Sequence, residues 1–196
     1  MIIKSLCNDE SACLAYFFCD FKDTGKQGSR SLLLSILIQL SESSGQCYDV
    51  LLNSYSAHRD GLVQPTDDSL MQCLKDMLTI VEHVPVYLIL DALDECPNDS
   101  GMPTSREMVL EFVEELVGLR RPNLRLCVTS RQEFDIRNTL EPLATHQISL
   151  HDESGQKHDI IDYITFIVRS DRRMKKWRDE DKNAIIENLS LRANGM

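Results

Sequence analysis

Pro85-Val86-Tyr87-Leu88-Ile89-Leu90-Asp91-Ala92-Leu93-Asp94-Glu95 is the stretch that decides the fold. From Pro85 to Leu90 it is continuously apolar, too short for a lone helix, and it stops at a carboxylate. Such a run reads as a strand buried on both faces of a parallel sheet. Working outward, Cys13 to Phe18 and Leu124 to Val128 read as further strands, and a fourth is expected near His146 to Leu150. Helices separate them. One is expected over Ser29 to Leu40, with Ser29 as its cap, and another over Cys47 to Ala57. After Pro65, Leu70, Met71, Cys73, Leu74, Met77, Leu78 and Val81 recur at helical spacing behind Asp67 and Asp68. Thr104-Ser105-Arg106-Glu107 has capping-box form and opens a helix with Met108, Val109, Phe112, Val113, Leu116 and Val117 as its apolar stripe. A short helix over Phe134 to Leu140, then helices over Asp159 to Val168 and Glu180 to Leu191, complete the reading. Strands alternating with amphipathic helices give an α/β fold, whose chemistry gathers at the carboxyl ends of the strands. That rule selects Asp91 to Glu95 and Thr129 to Arg131.

Composition narrows the function classes. The 196 residues are 42% hydrophobic and 27% charged, a globular balance, with 31 acids against 21 bases and a net charge of -10. An acidic chain is a poor general nucleic-acid binder. No apolar run approaches the ~18 residues of a spanning helix, and no charged-then-apolar leader opens the sequence. A soluble, cytoplasmic protein is expected, without membrane or nucleic-acid partners. Seven scattered cysteines, none in a C-x-x-C pair, read as reduced, buried thiols rather than disulfides or a zinc site. Between Arg169 and Arg178 six cations face the single acid Asp171, which reads as a solvated face or a lid contact. No Ser-His-Asp or Cys-His arrangement stands out, and 6% aromatic content leaves no sugar cleft for paired carboxylates to serve.

A strand-end carboxylate such as Asp91 is suited to a hydrated Mg²⁺, which typically takes one or two carboxylates plus substrate phosphates. Ala92 leaves room for the metal's water shell. Asp94 and Glu95, just beyond, can orient or deprotonate an attacking water. Arg131 follows the strand over Leu124 to Val128 and can meet charge developing on a terminal phosphate. A strand-end Asp followed by a strand-end Ser-Arg about forty residues later is the pattern of a nucleoside-triphosphate site.

Phe17-Phe-Cys-Asp-Phe21, Leu90-Asp-Ala-Leu-Asp-Glu-Cys-Pro97, Val128-Thr-Ser-Arg-Gln-Glu133 and Ser149-Leu-His-Asp-Glu153 together resemble the NACHT NTPase module of fungal STAND proteins. The form most similar is the nephrocystin-like N-terminal module, and the resemblance runs from about Leu14 to Met196. It implies a parallel-sheet P-loop NTPase of the ASCE/STAND type, using Mg²⁺ with ATP or GTP to switch an attached effector. By the same resemblance Asp91 is the Walker B carboxylate on the metal side. Asp94 and Glu95 are the water-activating acids, and Arg131 is the sensor arginine. Its partners would be an N-terminal effector, C-terminal ankyrin or WD repeats and further copies of itself.

One requirement is unmet. A phosphate cradle needs Gly, four residues, then Gly-Lys-Ser/Thr. The sole Gly-Lys, Gly25-Lys26, has Asp20 where the first Gly belongs and Gln27 where Ser or Thr belongs. The expectation is therefore a fragment lacking the first strand and phosphate loop, with Met1 to Leu6 as the tail of the helix after that loop. Residues 1–168 would form the partial NTPase domain, and 169–196 a helical segment leading toward a winged-helix region. Such a fragment has no cofactor-binding loop and is expected neither to bind nucleotide nor to fold stably alone. The alternative is a non-catalytic interaction scaffold or degenerate NTPase remnant.

Overall fold

The computed structural model describes residues 12–23, 25, 27–99, 103–149 and 154–193. Two compact units divide the chain, Met1–Ala144 and Thr145–Met196. In the first, β1 (Cys13–Phe18), β2 (Val86–Asp91) and β3 (Leu124–Val128) form a wholly parallel sheet in the order β1-β2-β3. Helices α1 (Ser29–Ser43), α2 (Gly45–Ala57) and α3 (Asp67–Ile80) lie between β1 and β2 in the chain. Between β2 and β3 comes α4 (Ser105–Gly118), and α5 (Phe134–Leu140) follows β3.

The central strand largely follows its composition. Val86, Leu88 and Leu90 are fully buried on one face of β2, whereas on the other Ile89 is nearly buried and Tyr87 half-buried, so the expected burial on both faces is complete on one face only. Register pairs Phe18 with Asp91 and Leu90 with Val128, so all three strands end at one edge. To the core, α1, packed on β1, contributes Leu32, Leu33, Ile36, Leu37 and Leu40, and α3, packed on α1 and α2, contributes the six apolar residues its spacing predicts. Val81 caps the end of α3 and is buried too. Thr66 receives the amide of Ser69 and caps α3, with Asp67 and Asp68 in the first turn. On the outer side of β1 the Gln39 amide pairs with the backbone of Tyr16. It accepts from Tyr16 N at 3.1 Å and donates to Tyr16 O at 2.8 Å, as a strand would.

Four local expectations are corrected. Gly28, with no side chain to offer, occupies the cap position of α1, and Ser29 is the first helical residue. On α4 the capping box forms as expected, but Met108 is exposed while Arg106 and Leu110 turn inward. Val109, Phe112, Val113 and Leu116 are buried as the predicted stripe requires, and Val117 is half-buried. Cys127 is exposed beside Arg125, because alternation along β3 turns only Leu124, Leu126 and Val128 toward the core. Residues 146–149 form no strand. His146, Gln147 and Ile148 are exposed there, and an unpaired strand would leave its backbone groups without a ladder. Leu150, Met1 to Leu6, Cys7 and most of the Ser149–Glu153 motif lie outside the described residues.

In the second unit α6 (Ser154–Ser170) packs against α7 (Asp179–Ala193), with Val168 buried. The basic connection between them is exposed at Arg172, Arg173, Lys175, Lys176 and Arg178, the solvated face its composition suggests. Among the described residues no helix is long and apolar enough to cross a membrane.

Candidate functional site

Adjacent strand ends bring the predicted residues to one edge of the sheet. Asp91 is the last residue of β2, and its Oδ1 accepts a hydrogen bond from the Thr129 hydroxyl. Ala92 then takes a left-handed conformation, φ 56°, which residues other than Gly, Asn and Asp rarely adopt. Three bonds hold it there. Ala92 N donates to Thr129 Oγ1 at 3.0 Å, Leu93 N donates to Thr129 O at 3.0 Å, and Thr129 N donates to Leu90 O at 2.9 Å. The sharp turn drives Leu93 into the core and starts the 3₁₀ turn Leu93–Glu95, which carries both further acids.

Thr129 thus fixes the Asp91 carboxylate and the turn behind it through one hydroxyl. Thr129→Val keeps the shape and removes that hydroxyl. The expected loss is about 1–2 kcal/mol, since Ala92 N loses its partner. Urea unfolding measures it, and an unchanged midpoint would mean that the hydroxyl is idle.

Asp94 is 10% exposed at its side chain and is engaged by Arg131 twice. The Arg131 backbone amide donates to Oδ1 at 3.0 Å, and its Nε approaches Oδ2 at 3.4 Å. The Arg131 side chain is otherwise open to solvent. Glu95 Oε2 accepts from Phe21 N at 3.3 Å, across to the segment after β1. A cleft of about 460 Å³ lies among these groups, walled by Asp94, Glu95, Cys96 and Pro97 on one side. Phe21, Gln27, Arg106, Arg131 and Glu133 complete its lining. Asp94, Glu95 and Arg131 therefore meet in one cleft, while Asp91 sits at the strand end and outside the lining. Among the described residues no three His, Cys, Asp or Glu side chains gather as a ready-made metal cage.

Beneath the cleft lies Arg106, a residue that the sequence reading leaves in the capping box and gives no role. Its side chain is 7% exposed. Nε donates to Cys96 O at 3.0 Å and Nη2 to Asp94 O at 2.7 Å, while Nη1 reaches Glu133 and, at 3.4 Å, Asp135. One guanidinium thereby joins the acidic loop after β2 to the segment opening α5. Burial opposes its charge, but Glu133 and Asp135 outweigh that and raise its pKa, so it stays cationic. The available signal was its spacing to Val109, Leu110 and Val113, three, four and seven residues on, which turns Arg106 toward the core.

Cys19 and Cys96, both buried, stand with their sulfurs 3.2 Å apart at the back of the same region. The hydrogen bond between them and burial push the Cys19 thiol up, with nearby Asp91 and Glu95 adding to it. The Cys96 thiol is lowered, first by its hydrogen bond with Cys19, against burial, with help from Arg106.

The family model for Nephrocystin 3, N-terminal, matches residues 1–131. The chain belongs to that family. The nephrocystin 3 N-terminal match closes at Arg131, so it takes in Asp91, Asp94, Glu95 and Arg131 together with all three strands. Glu133, Asp135 and the two-helix unit lie beyond it. No curated protein and no solved structure matches the chain.

Proposed function

We propose that this nephrocystin 3 N-terminal chain carries the acid and arginine side of a nucleoside-triphosphate switch of the NACHT/STAND P-loop class, working with Mg²⁺ and ATP or GTP in the cytoplasm. The observation that supports it is the meeting of Asp94, Glu95 and Arg131 in one cleft, beside a β2 that ends in Asp91. Asp91 fits a cation held by one carboxylate, because the Thr129 hydroxyl hydrogen-bonds Oδ1 and orients the group at the strand end. The metal, when bound, would neutralise phosphate charge. The chain's own residues do the rest. Asp94 holds Arg131 in place, Arg131 meets the terminal phosphate, and Glu95 orients water.

The triphosphate itself fits less well, because these 196 residues include no Gly-x₄-Gly-Lys-Ser/Thr cradle. The chain alone is therefore proposed not to hold nucleotide tightly. That same feature favours a second reading, a non-catalytic scaffold of the same fold. An attached effector, attached repeats and further copies of the module are the partners the first reading calls for.

Two variants separate the readings in a protein that joins this chain to a phosphate loop. Asp91→Asn should weaken Mg²⁺-dependent ATP or GTP binding by at least about tenfold, since it removes the charge that balances the metal. Glu95→Gln should spare binding and slow hydrolysis about a hundredfold. Equal binding losses would contradict this division of roles, and no effect of either would favour the scaffold.

A further inference from the structure

We propose that Cys19 and Cys96 are an oxidant-responsive pair that closes to an intramolecular disulfide in the presence of a small hydroperoxide. This goes beyond the nucleotide reading and stands without it.

The geometry carries the proposal. The two sulfurs already touch at 3.2 Å, and a disulfide needs about 2.05 Å, a movement of roughly 1 Å. Both backbones are pinned. Cys19 N donates to Asp91 O at 3.0 Å, Cys96 N donates to Leu93 O at 3.1 Å, and Cys96 O accepts from buried Arg106. Neither thiol has to search for the other. Cys96 is among the residues that line the cleft and Cys19 is not, and Cys96 is fully buried, so a small oxidant reaches its sulfur from the cleft through a local opening of that wall. Burial of both thiols excludes bulky thiol reagents.

The Cys96 thiolate attacks the terminal oxygen of the hydroperoxide. The O–O bond breaks, and the departing alkoxide takes a proton to become an alcohol, or water if the oxidant is hydrogen peroxide. Cys96 is left as a sulfenic acid. Cys19 loses its proton and attacks the Cys96 sulfur; the S–O bond breaks and hydroxide leaves with that proton as water. Two thiols have lost two electrons and two protons, and the peroxide has gained them. A dithiol reductant reverses the bond by exchange. The cross-link spans 77 positions of sequence and ties the end of β1 to the loop that bears Asp94 and Glu95. Oxidation therefore fixes one wall of the cleft to the sheet.

The test uses the full reduced chain carrying Cys127→Ser, which removes the one exposed thiol among the described residues and its intermolecular products. After treatment with hydrogen peroxide at near-stoichiometric amounts, a non-reducing digest is read by mass spectrometry. The expected product is a peptide pair joined through Cys19 and Cys96, two hydrogens lighter than the sum of its parts, that disappears on treatment with dithiothreitol. A digest without that pair, whether Cys96 is recovered unmodified or over-oxidised to the sulfinic acid, overturns the proposal.

Discussion

Replacing Arg106 with Leu is expected to lower the unfolding free energy by about 3 kcal/mol. Removing one partner of a buried ion pair costs about 3–5 kcal/mol when the other charge stays buried. Here Glu133 and Asp135 are 44% and 37% exposed at their side chains and can regain water, which discounts the electrostatic share. The main loss falls on Asp94 O and Cys96 O, two acceptors that the guanidinium satisfies, at about 1–3 kcal/mol for each group left buried without a partner. Arg106→Lys keeps the charge but offers a single nitrogen where the guanidinium uses three, so it should recover only part of the loss. Urea unfolding checks both variants. The Leu variant's loss should persist in high salt, because backbone acceptors are not screened as exposed ion pairs are. A loss under about 1 kcal/mol would contradict the buried joint that Arg106 makes between the loop after β2 and the segment opening α5.

Leu88→Ala should be comparably damaging for a different reason. Leu88 is fully buried in the central strand, paired in register with Ala15 on one side and Leu126 on the other. Its side chain lies on the fully covered face of the sheet with Val86 and Leu90, which leaves little room for collapse around the deleted atoms. Leu→Ala changes in such places cost about 2–5 kcal/mol, a large fraction of an ordinary total stability of about 5–15 kcal/mol. The urea midpoint should fall with its slope unchanged. Leu126→Ala, on the half-covered strand, should cost clearly less, and the reverse order would contradict the central placement of β2.

The contrast between these two residues explains what the sequence could disclose. Leu88 belongs to an apolar run whose length and abrupt end at Asp91 already specify a buried parallel strand, and α3 is legible from the spacing of Leu70 to Leu78. Such signals are local and periodic. Arg106 and the Cys19–Cys96 pair are neither, since their meaning depends on contacts from Cys96 to Glu133 and across 77 positions that no window spans. The expected strand near His146 failed for the same reason. A short run with β-forming residues becomes a strand only beside a partner, and whether a partner stands there is a tertiary fact. At the site, strand-end logic put Asp91, Asp94, Glu95 and Arg131 at one sheet edge, but it could not show that Asp94 is occupied by Arg131 or that Asp91 lies outside the cleft lining.

The most direct test of the proposed cation site at Asp91 is paramagnetic broadening of the chain's amide signals by Mn²⁺, standing in for Mg²⁺, in the presence of ATP. Weak, sparsely populated binding suffices for this readout, so a chain without a Gly-x₄-Gly-Lys-Ser/Thr motif can be used. Amides of residues 92–96 and 129–131 are expected to broaden first, and Asp91→Asn is expected to abolish this localisation. Broadening spread over exposed acids such as Asp67, Asp68 and Glu180, or the same local pattern in Asp91→Asn, would contradict it.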